Sequence, residues 1–150
     1  MMNPSLGKNL IDVACGTGDI GKLYLDSTSK NNKITCVDPN KGMVGEGKQK
    51  LSSYKNINWV ISSAEKLPFE DNKFDFYTIS FGLRNTKNLN KALSEAYRVL
   101  RPGGVFYFYE HVVSNKKFGH FVQKSLNPMW KLGTTGCHLD RDIKKTIDQR

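Results

Sequence analysis

A glycine-rich turn near the beginning of the chain constrains the fold more than any other feature. Residues 12–21 are DVACGTGDIG; an apolar run at residues 9–14 leads into the glycines, and an amphipathic stretch follows at residues 19–27. Gly16 and Gly18 lack a Cβ atom, so the backbone there can turn tightly and approach a ligand closely. A turn of this kind between a buried strand and a helix is typical of Rossmann-like folds that bind nucleotide-containing ligands.

Apolar and amphipathic segments alternate along the chain up to residue 111. The pattern predicts strands at residues 9–14, 33–37, 57–61, 74–80 and 105–110, and helices at residues 19–27, 42–53 and 89–100. The residues RPGG at 101–104 should end the last helix, because proline cannot continue a helix. This alternation predicts an α/β fold with a largely parallel, Rossmann-like sheet and helices on both faces. We expect one domain over residues 1–150, with a cofactor-binding core at 9–111 and a helical segment on the substrate side at 112–150.

Acidic residues near the turn indicate which ligand it binds. Asp38 follows the second predicted strand, 20 residues after Gly18, where a carboxylate can reach the ribose hydroxyls of a nucleoside. Gly21 completes a G-x-G-x-x-G pattern, so a nicotinamide-dependent oxidoreductase is one interpretation, although the chain has no Tyr-x-x-x-Lys pair. Asp12 and Asp19 favour a methyltransferase, since carboxylates repel a pyrophosphate and attract a sulfonium or ammonium group.

Four segments resemble the motifs of class I S-adenosylmethionine-dependent methyltransferases, in the same order. They are residues 10–18 (motif I), 63–69 (the adenine-contacting loop), 74–75 (the start of strand four) and 98–104 (the turn from helix to strand five). Residues 77–85, YTISFGLRN, are in addition similar to the signature of the ubiquinone/menaquinone biosynthesis C-methyltransferase family. Members of that family transfer a methyl group from S-adenosylmethionine to a ring carbon of a polyprenylated quinol. The resemblance therefore implies the same cofactor and a small lipophilic substrate.

The family resemblance also implies which residues form the site. The family's cofactor contacts would fall on Thr17, Asp38, Ser63, Ala64 and Ser80, and the glycine turn adds Asp12, Gly16 and Gly18 to the expected cofactor site. Arg84 corresponds to the family arginine proposed to help remove the ring proton; because a guanidinium stays protonated, its physical role is to stabilise a phenolate or to orient a water. A loop ion pair is the alternative for Arg84. His111, at the end of the fifth predicted strand, is either a general base or a hydrogen-bonded structural histidine.

Some positions depart from the pattern of that family. Ser63 stands where the family often has Asp or Asn, and residues 110–112 are Glu-His-Val where the family has Glu-Phe-Ser. Residues 105–112 and 130–141 are more similar to small membrane-associated methyltransferases that act on alkyl thiols. We also expect the upstream substrate lid and the last strands of either family to be missing from this sequence. A small thiol or other lipophilic acceptor, and an inactive remnant that binds the cofactor only, are therefore alternatives.

The charge of the chain is concentrated in its second half. Residues 1–75 hold 10 lysines and 9 acidic residues, whereas residues 76–150 hold 13 basic and 5 acidic residues. Lysines also flank an apolar stripe at residues 115–130, which suits either peripheral contact with anionic lipid or ordinary core packing. No nucleic-acid partner is expected, since no Asn-Pro-Pro-Tyr-like motif follows the fourth strand. The sequence does not indicate an oligomeric state.

The three cysteines have no spacing that would suggest a disulfide framework or a zinc site. Cys137 and His138 are adjacent, but two possible ligands without a second pair are too few to predict a metal site. Free cysteines indicate a reducing compartment. We therefore expect no metal, and a location in the cytoplasm or, in a eukaryote, on the matrix side of the inner mitochondrial membrane.

Overall fold

The computed structural model describes residues 7–28 and 32–110, within which five strands form one parallel sheet. The strands are β1 (Asn9–Val13), β2 (Lys33–Val37), β3 (Ile57–Val60), β4 (Phe74–Ser80) and β5 (Leu100–Tyr109). The helices are α1 (Asp19–Ser27), α2 (Lys41–Lys50) and α3 (Leu89–Val99), with a short 3₁₀ helix at Leu83–Asn85. The predicted Rossmann-like α/β fold is confirmed over this part of the chain.

The order of the strands determines where a ligand can bind. Across the sheet the order is β3-β2-β1-β4-β5, and every neighbouring pair is parallel. The chain therefore moves outward from β1 to β3 and then crosses back to place β4 on the other side of β1. At such a switch point the connections leave in opposite directions, which opens a crevice at the carboxyl ends of β1 and β4.

The central strands are buried on both faces, which explains why their sequences are nearly continuous apolar runs. The core cluster on one face packs strand side chains against α3 and includes Ile11, Val13, Tyr77, Ile79, Ala92, Ala96 and Val99. The cluster on the other face packs strand side chains against α1 and includes Leu10, Ile34, Cys36, Tyr24 and Leu25. Because both faces of β1 and β4 are packed, the loops at their carboxyl ends have rigid attachment points.

Asparagine side chains cap the N-termini of two of the helices. Asn40 Oδ1 accepts the N–H groups of Gly42 and Met43 at 2.9 and 3.2 Å, and Asn88 Oδ1 accepts the N–H of Lys91 at 3.0 Å. These bonds satisfy amide groups that have no acceptor within the first turn of a helix. The cap at Asn40 explains why α2 begins one residue before its predicted start; the helix also ends at Lys50, three residues earlier than predicted.

The fifth strand begins earlier than predicted, directly after α3. Leu100 pairs with Phe74 and Val105 pairs with Phe76, so residues 101–104 bulge out between the two pairings. Gly103 has a φ angle of 76°, a conformation that favours glycine and permits the bulge. The RPGG segment therefore interrupts β5 instead of preceding it. The predicted helical segment at 112–150 lies outside the described residues.

Candidate functional site

The loop that follows β1 has an unusual backbone. Ala14, Gly16 and Gly18 have positive φ angles of 55°, 55° and 83°. The Gly18 N–H donates to the carbonyl of Cys15 at 2.9 Å, and the Lys22 N–H donates to the Gly18 carbonyl at 2.9 Å, so the turn passes directly into α1. Glycine adopts such angles at little cost, whereas Ala14 is strained there. Strain of this kind is concentrated at functional sites in proteins.

The glycine loop also packs closely against α2 and β3. A Cβ atom at Gly18 would lie 2.6 Å from the ring of Trp59, and a Cβ atom at Gly47 would overlap the same ring. The Gly47 Cβ would in addition lie 3.0 Å from the carbonyl oxygen of Thr17. The approach of α2 to the loop therefore requires glycine at both positions. The sequence pattern identifies Gly18, whereas the role of Gly47 depends on a contact between distant parts of the chain.

Asp38 connects the end of β2 to the glycine loop. Its Oδ2 atom accepts the N–H of Gly16 at 2.9 Å, and its Oδ1 atom accepts the N–H of Asn40 at 2.8 Å. The residue is only 8% exposed, so these bonds hold the carboxylate in one orientation. Each carboxylate oxygen has a further lone pair that can accept a hydroxyl group of a ligand. Asp38 thus lies where the sequence predicts and also shapes the loop.

Asp12 is a buried acid in β1, two residues before the strained Ala14. The Thr78 hydroxyl donates to Asp12 Oδ1 at 2.8 Å, while Oδ2 has no hydrogen-bond partner among the described residues. Burial raises the pKa of Asp12 to about 7; the bond from Thr78 opposes the shift, and the charges of Asp38 and Asp19 add to it. A buried carboxyl group with one unsatisfied oxygen beside a ligand loop is suited to attract a cation.

The acid at the start of α1 is already paired. Asp19 Oδ1 accepts a bond from Lys50 Nζ at 2.6 Å, and Oδ2 accepts the Thr17 hydroxyl at 3.0 Å. These bonds, the one from Lys50 above all, lower the pKa of Asp19. Lys50 partly compensates the charge at Asp19, so the buried Asp12 is the stronger support for the predicted preference for a cationic ligand. Thr17, a predicted cofactor contact, lies in the glycine loop after β1 and is half-buried.

The loop that follows β3 is tied to the start of α3. Glu65 Oε1 accepts the N–H groups of Lys87 and Asn88 at 2.6 and 3.2 Å. These backbone bonds help lower the pKa of Glu65, although its partial burial opposes them. The neighbouring Ser63 is half-buried and Ala64 is 8% exposed. The ties at Glu65 therefore hold both predicted adenine contacts near the carboxyl end of β3.

Arg98 of α3 anchors residues 67–71 of the same loop by hydrogen bonds. Its guanidinium donates to the carbonyl oxygens of Leu67 and Phe69 at 2.9 and 2.6 Å, and to Asp71 at 2.8 Å. It also forms two parallel bonds of 2.8 Å with the carboxylate of Glu95. Glu95 in turn accepts the N–H of Leu67 at 2.7 Å. Neither Glu95 nor Arg98 carries a local sequence pattern that would mark it as a support of the site.

The loops after β1 and β4 touch each other. Ser80 ends β4 and is half-buried, and the next residue, Phe81, has a positive φ angle of 55°. A Cβ atom at Gly82 would lie 2.5 Å from the Cβ of Ala14. Strained residues and a close backbone contact thus occur together at the point where the strand order places a crevice.

Arg84 lies in the 3₁₀ helix that follows this contact. Its side chain is 17% exposed, and its Nε atom is 3.9 Å from Oε2 of Glu110. The guanidinium carbon lies 5.0 Å from the centroid of the Phe81 ring, which packs edge-to-face on Tyr109 at 5.0 Å. Arg84 therefore has an ion-pair partner, and it lies after the carboxyl end of β4, on the edge where the predicted cofactor residues lie.

The predicted site residues within the described ranges follow the carboxyl ends of β1 to β4 or lie among the last two residues of these strands. The predicted base His111 and the pair Cys137–His138 lie outside the described residues.

The thiol of Cys15 contacts Cys36, and this contact, with burial, raises the pKa of Cys15 above its ordinary range. In the described part of the chain, no cluster of His, Cys, Asp and Glu could hold a metal ion, and no helix is long and apolar enough to cross a bilayer.

The sheet order and the glycine loop define a Rossmann-like fold of the methyltransferase type. The chain is similar to the YcgJ protein of Bacillus subtilis, with a TM-score of 0.81 and 21% identity over 97% of this chain and 61% of that chain. A SAM-dependent methyltransferase from Aquifex aeolicus has a TM-score of 0.68 and 23% identity over 75% of this chain and 61% of that chain. At these identities the likeness shows the fold alone.

The sequence comparisons identify the family. The ubiE/COQ5 methyltransferase family matches residues 1–132, and the chain belongs to it. Residues of the chain are 46% identical to the ubiquinone/menaquinone biosynthesis C-methyltransferase UbiE of Rickettsia prowazekii over 73% of this chain and 47% of that protein. The identity to the Brucella abortus UbiE is 47%, over 69% of this chain and 40% of that protein. The chain thus spans about half the length of the curated relatives it matches.

Proposed function

We propose that this chain binds S-adenosylmethionine at the crevice between β1 and β4 and takes part in C-methylation of a polyprenyl quinol precursor in ubiquinone or menaquinone biosynthesis. The observation that carries the proposal is the buried Asp12 carboxyl group beside the glycine loop, in a chain of the ubiE/COQ5 methyltransferase family. The names of the relatives from Rickettsia and Brucella support this acceptor class.

The residues at the crevice fit the cofactor. The lone pairs of Asp38 can accept the ribose hydroxyls, and the glycine backbone at Gly16 lets the loop approach the amino-acid tail closely. The unsatisfied oxygen of Asp12 would attract a cationic group, whereas a pyrophosphate would be repelled by it. Thr17, Ser63, Ala64 and Ser80 would complete the contacts. When bound, S-adenosylmethionine supplies a methyl group on a positively charged sulfur.

The residues after β4 favour an aromatic acceptor that becomes an anion. Arg84 can stabilise a phenolate, and a phenolate makes the ring carbon next to it a better nucleophile. Phe81 and Tyr109 form an aromatic pair beside Arg84, and Tyr109 is 68% exposed, so its ring is available to an aromatic or prenyl group. We assign the general base to His111. A polyprenyl substrate also requires peripheral contact with the membrane, for which we nominate residues 115–130.

Calorimetric titration with S-adenosylhomocysteine tests the cofactor assignment, with NAD as the competing ligand. We expect micromolar binding of S-adenosylhomocysteine and no binding of NAD. Asp38→Ala should abolish binding, while Asp26→Ala, which removes an exposed carboxylate from α1, should preserve it. Circular dichroism confirms that each variant is folded. Binding of NAD in preference to S-adenosylhomocysteine would overturn the assignment.

A methyl-transfer assay tests the acceptor. Radiolabelled S-adenosylmethionine is offered with a prenylated quinol precursor or with a short alkyl thiol, and the product is extracted into organic solvent. We expect label on the quinol ring carbon. Label on the thiol would favour the alternative acceptor that residues 105–112 and 130–141 suggest. Tight binding without transfer to either acceptor would mean that the chain retains only the cofactor site.

A further inference from the structure

A single carboxylate connects the end of β5 to the two residues that begin the 3₁₀ helix. The side chain of Glu110 is fully buried. Its Oε1 atom accepts the N–H of Leu83 at 2.7 Å, and its Oε2 atom lies 3.9 Å from Nε of Arg84. We propose that Glu110 is a positioning residue that holds the Arg84 guanidinium for the acceptor; this inference rests on the proposed function of Arg84.

The two carboxylate oxygens of Glu110 make different kinds of contact. The bond at 2.7 Å to Leu83 is a short, charge-assisted hydrogen bond, which orients the carboxylate and anchors the backbone of the 3₁₀ helix. The separation of 3.9 Å from Arg84 is too long for a hydrogen bond, so the second contact is an ion pair. An ion pair in a buried place retains most of its attraction at this distance, because water does not screen it.

Two groups in the described part of the chain lie against the guanidinium of Arg84. Glu110 attracts its Nε edge, and the Phe81 ring lies beneath its central carbon at 5.0 Å. Phe81 is itself held by a backbone bond of 2.8 Å to the Tyr109 carbonyl and by its edge-to-face contact with the Tyr109 ring. Tyr109 is the last residue of β5 and Glu110 directly follows it, while Phe81 directly follows β4. The end of β5 therefore sets where the positive charge lies.

A buried carboxylate that served only to anchor Leu83 would be a costly choice, because a neutral amide oxygen accepts the same N–H without the desolvation penalty of a charge. The charge is useful where it opposes another charge, and the Nε atom of Arg84, a cation, lies 3.9 Å from it. Glu110→Gln is accordingly the informative variant. Its side-chain oxygen can still accept the Leu83 N–H, whereas its attraction for the guanidinium is lost.

The first readout is the mobility of Arg84 in the full chain, observed by NMR after ¹⁵N-arginine labelling. We expect exchange of the Arg84 Nε–H with water to become about tenfold faster in Glu110→Gln than in the unmodified chain, the effect of losing one charged interaction. Glu110→Asp, which keeps the charge but shortens the side chain, should lie between the two. The Nε–H of Arg98 serves as the internal control and should not change. Unchanged exchange at Arg84 would overturn the proposal.

Turnover gives the second readout and separates the two hypotheses. In the methyl-transfer assay we expect Glu110→Gln to lower kcat about tenfold or more through misplacement of Arg84, with S-adenosylhomocysteine affinity unchanged. The double variant with Arg84→Gln should be no slower than Arg84→Gln alone. If the two effects multiply, Glu110 acts independently of Arg84 and the inference is wrong. Full activity in Arg84→Gln would instead refute the role of Arg84 in the proposed function, while the NMR result would still decide whether Glu110 holds it.

Discussion

The carboxylate of Asp38 accepts the backbone N–H of Gly16 at 2.9 Å, which joins the end of β2 to the glycine loop after β1. In the proposed function Asp38 therefore has two roles: its carboxylate would accept the ribose hydroxyls, and it holds the loop that would lie under the same ligand. A variant that lacks the carboxylate loses both. The stability of the ligand-free chain separates the two effects.

We expect Asp38→Ala to lower the free energy of unfolding by about 2 kcal/mol even without ligand, because two backbone amides lose a charged acceptor. Asp38→Asn should cost less, since its amide oxygen can still accept one of the two N–H groups. Urea unfolding followed by circular dichroism measures both variants. A ligand-free stability equal to that of the unmodified chain would mean that the bonds to Gly16 and Asn40 contribute nothing.

Two glycines in the same helix should respond in opposite directions to substitution by alanine. At Gly45, nothing lies within 4 Å of an added Cβ, so Gly45→Ala should stabilise the chain by about 0.5–1 kcal/mol through reduced freedom of the unfolded state. At Gly47, the added Cβ meets the Trp59 ring and the Thr17 carbonyl, so Gly47→Ala should destabilise it by about 1–3 kcal/mol. Urea midpoints of the pair provide the comparison. Equal shifts would show that α2 moves freely relative to the loop.

The regular elements could be predicted because their signals are local. The bounds of α1, β2 and β4 agree with the apolar periodicity, and β1 and β3 each end one residue earlier than predicted. The beginning of β5 was not predicted, because a bulge at residues 101–104 looks like a turn when its pairing partner is unknown. The local apolar pattern identifies the helices and strands, whereas the pairing of β5 with β4 decides where β5 begins.

The supports of the site were harder to predict than its ligand-facing residues. Gly16, Gly18 and Asp38 belong to a motif whose spacing is short and recognisable. By contrast, the bond from Arg98 to the Leu67 carbonyl joins positions 31 residues apart, and no periodic pattern marks it. The same holds for the compensation of Asp19 by Lys50, which is also 31 residues away. Charge arguments from sequence fail where a distant partner neutralises the charge.

The pKa of Asp12 predicts how stability depends on pH. Burial raises this pKa from 3.8 in the unfolded chain to about 7 in the folded one, so the folded chain holds the proton more tightly. The contribution of Asp12 to stability is therefore greatest below about pH 4 and declines as the pH rises to about 7, by up to roughly 1.4 kcal/mol per pH unit. Asp12→Asn should remove this decline. The measurement is the difference in unfolding free energy between the two proteins across that range; a constant difference would show that Asp12 titrates normally.

The same titration should appear in ligand binding, with the opposite sign. S-adenosylhomocysteine carries an ammonium group, and a cation is attracted only after Asp12 has lost its proton. Affinity should therefore rise as the pH increases through about 7, the pKa of Asp12, and level off above it. In Asp12→Asn the affinity should be weaker and independent of pH over that range. Calorimetry at several pH values tests this, and an affinity that falls with increasing pH would contradict it.

Arg98 should contribute more to stability than any simple surface ion pair. Its guanidinium bonds to Glu95, to Asp71 and to two loop carbonyls, a planar arrangement that lysine cannot reproduce. We expect Arg98→Lys to lower the free energy of unfolding by about 2 kcal/mol, because the carbonyls of Leu67 and Phe69 lose their donors.

The matched control for Arg98 is Lys22→Met, which removes the exposed pair between Lys22 and Asp26, four residues apart on α1. An exposed pair is screened by water and constrains two flexible side chains, so its loss should leave stability nearly unchanged. Urea unfolding of both variants gives the comparison. If Arg98→Lys and Lys22→Met shift the midpoint equally, the bonds of Arg98 do not fasten the loop after β3. If only Arg98→Lys is destabilised and S-adenosylhomocysteine affinity also falls, that loop is part of the adenine site, as the positions of Ser63 and Ala64 predict.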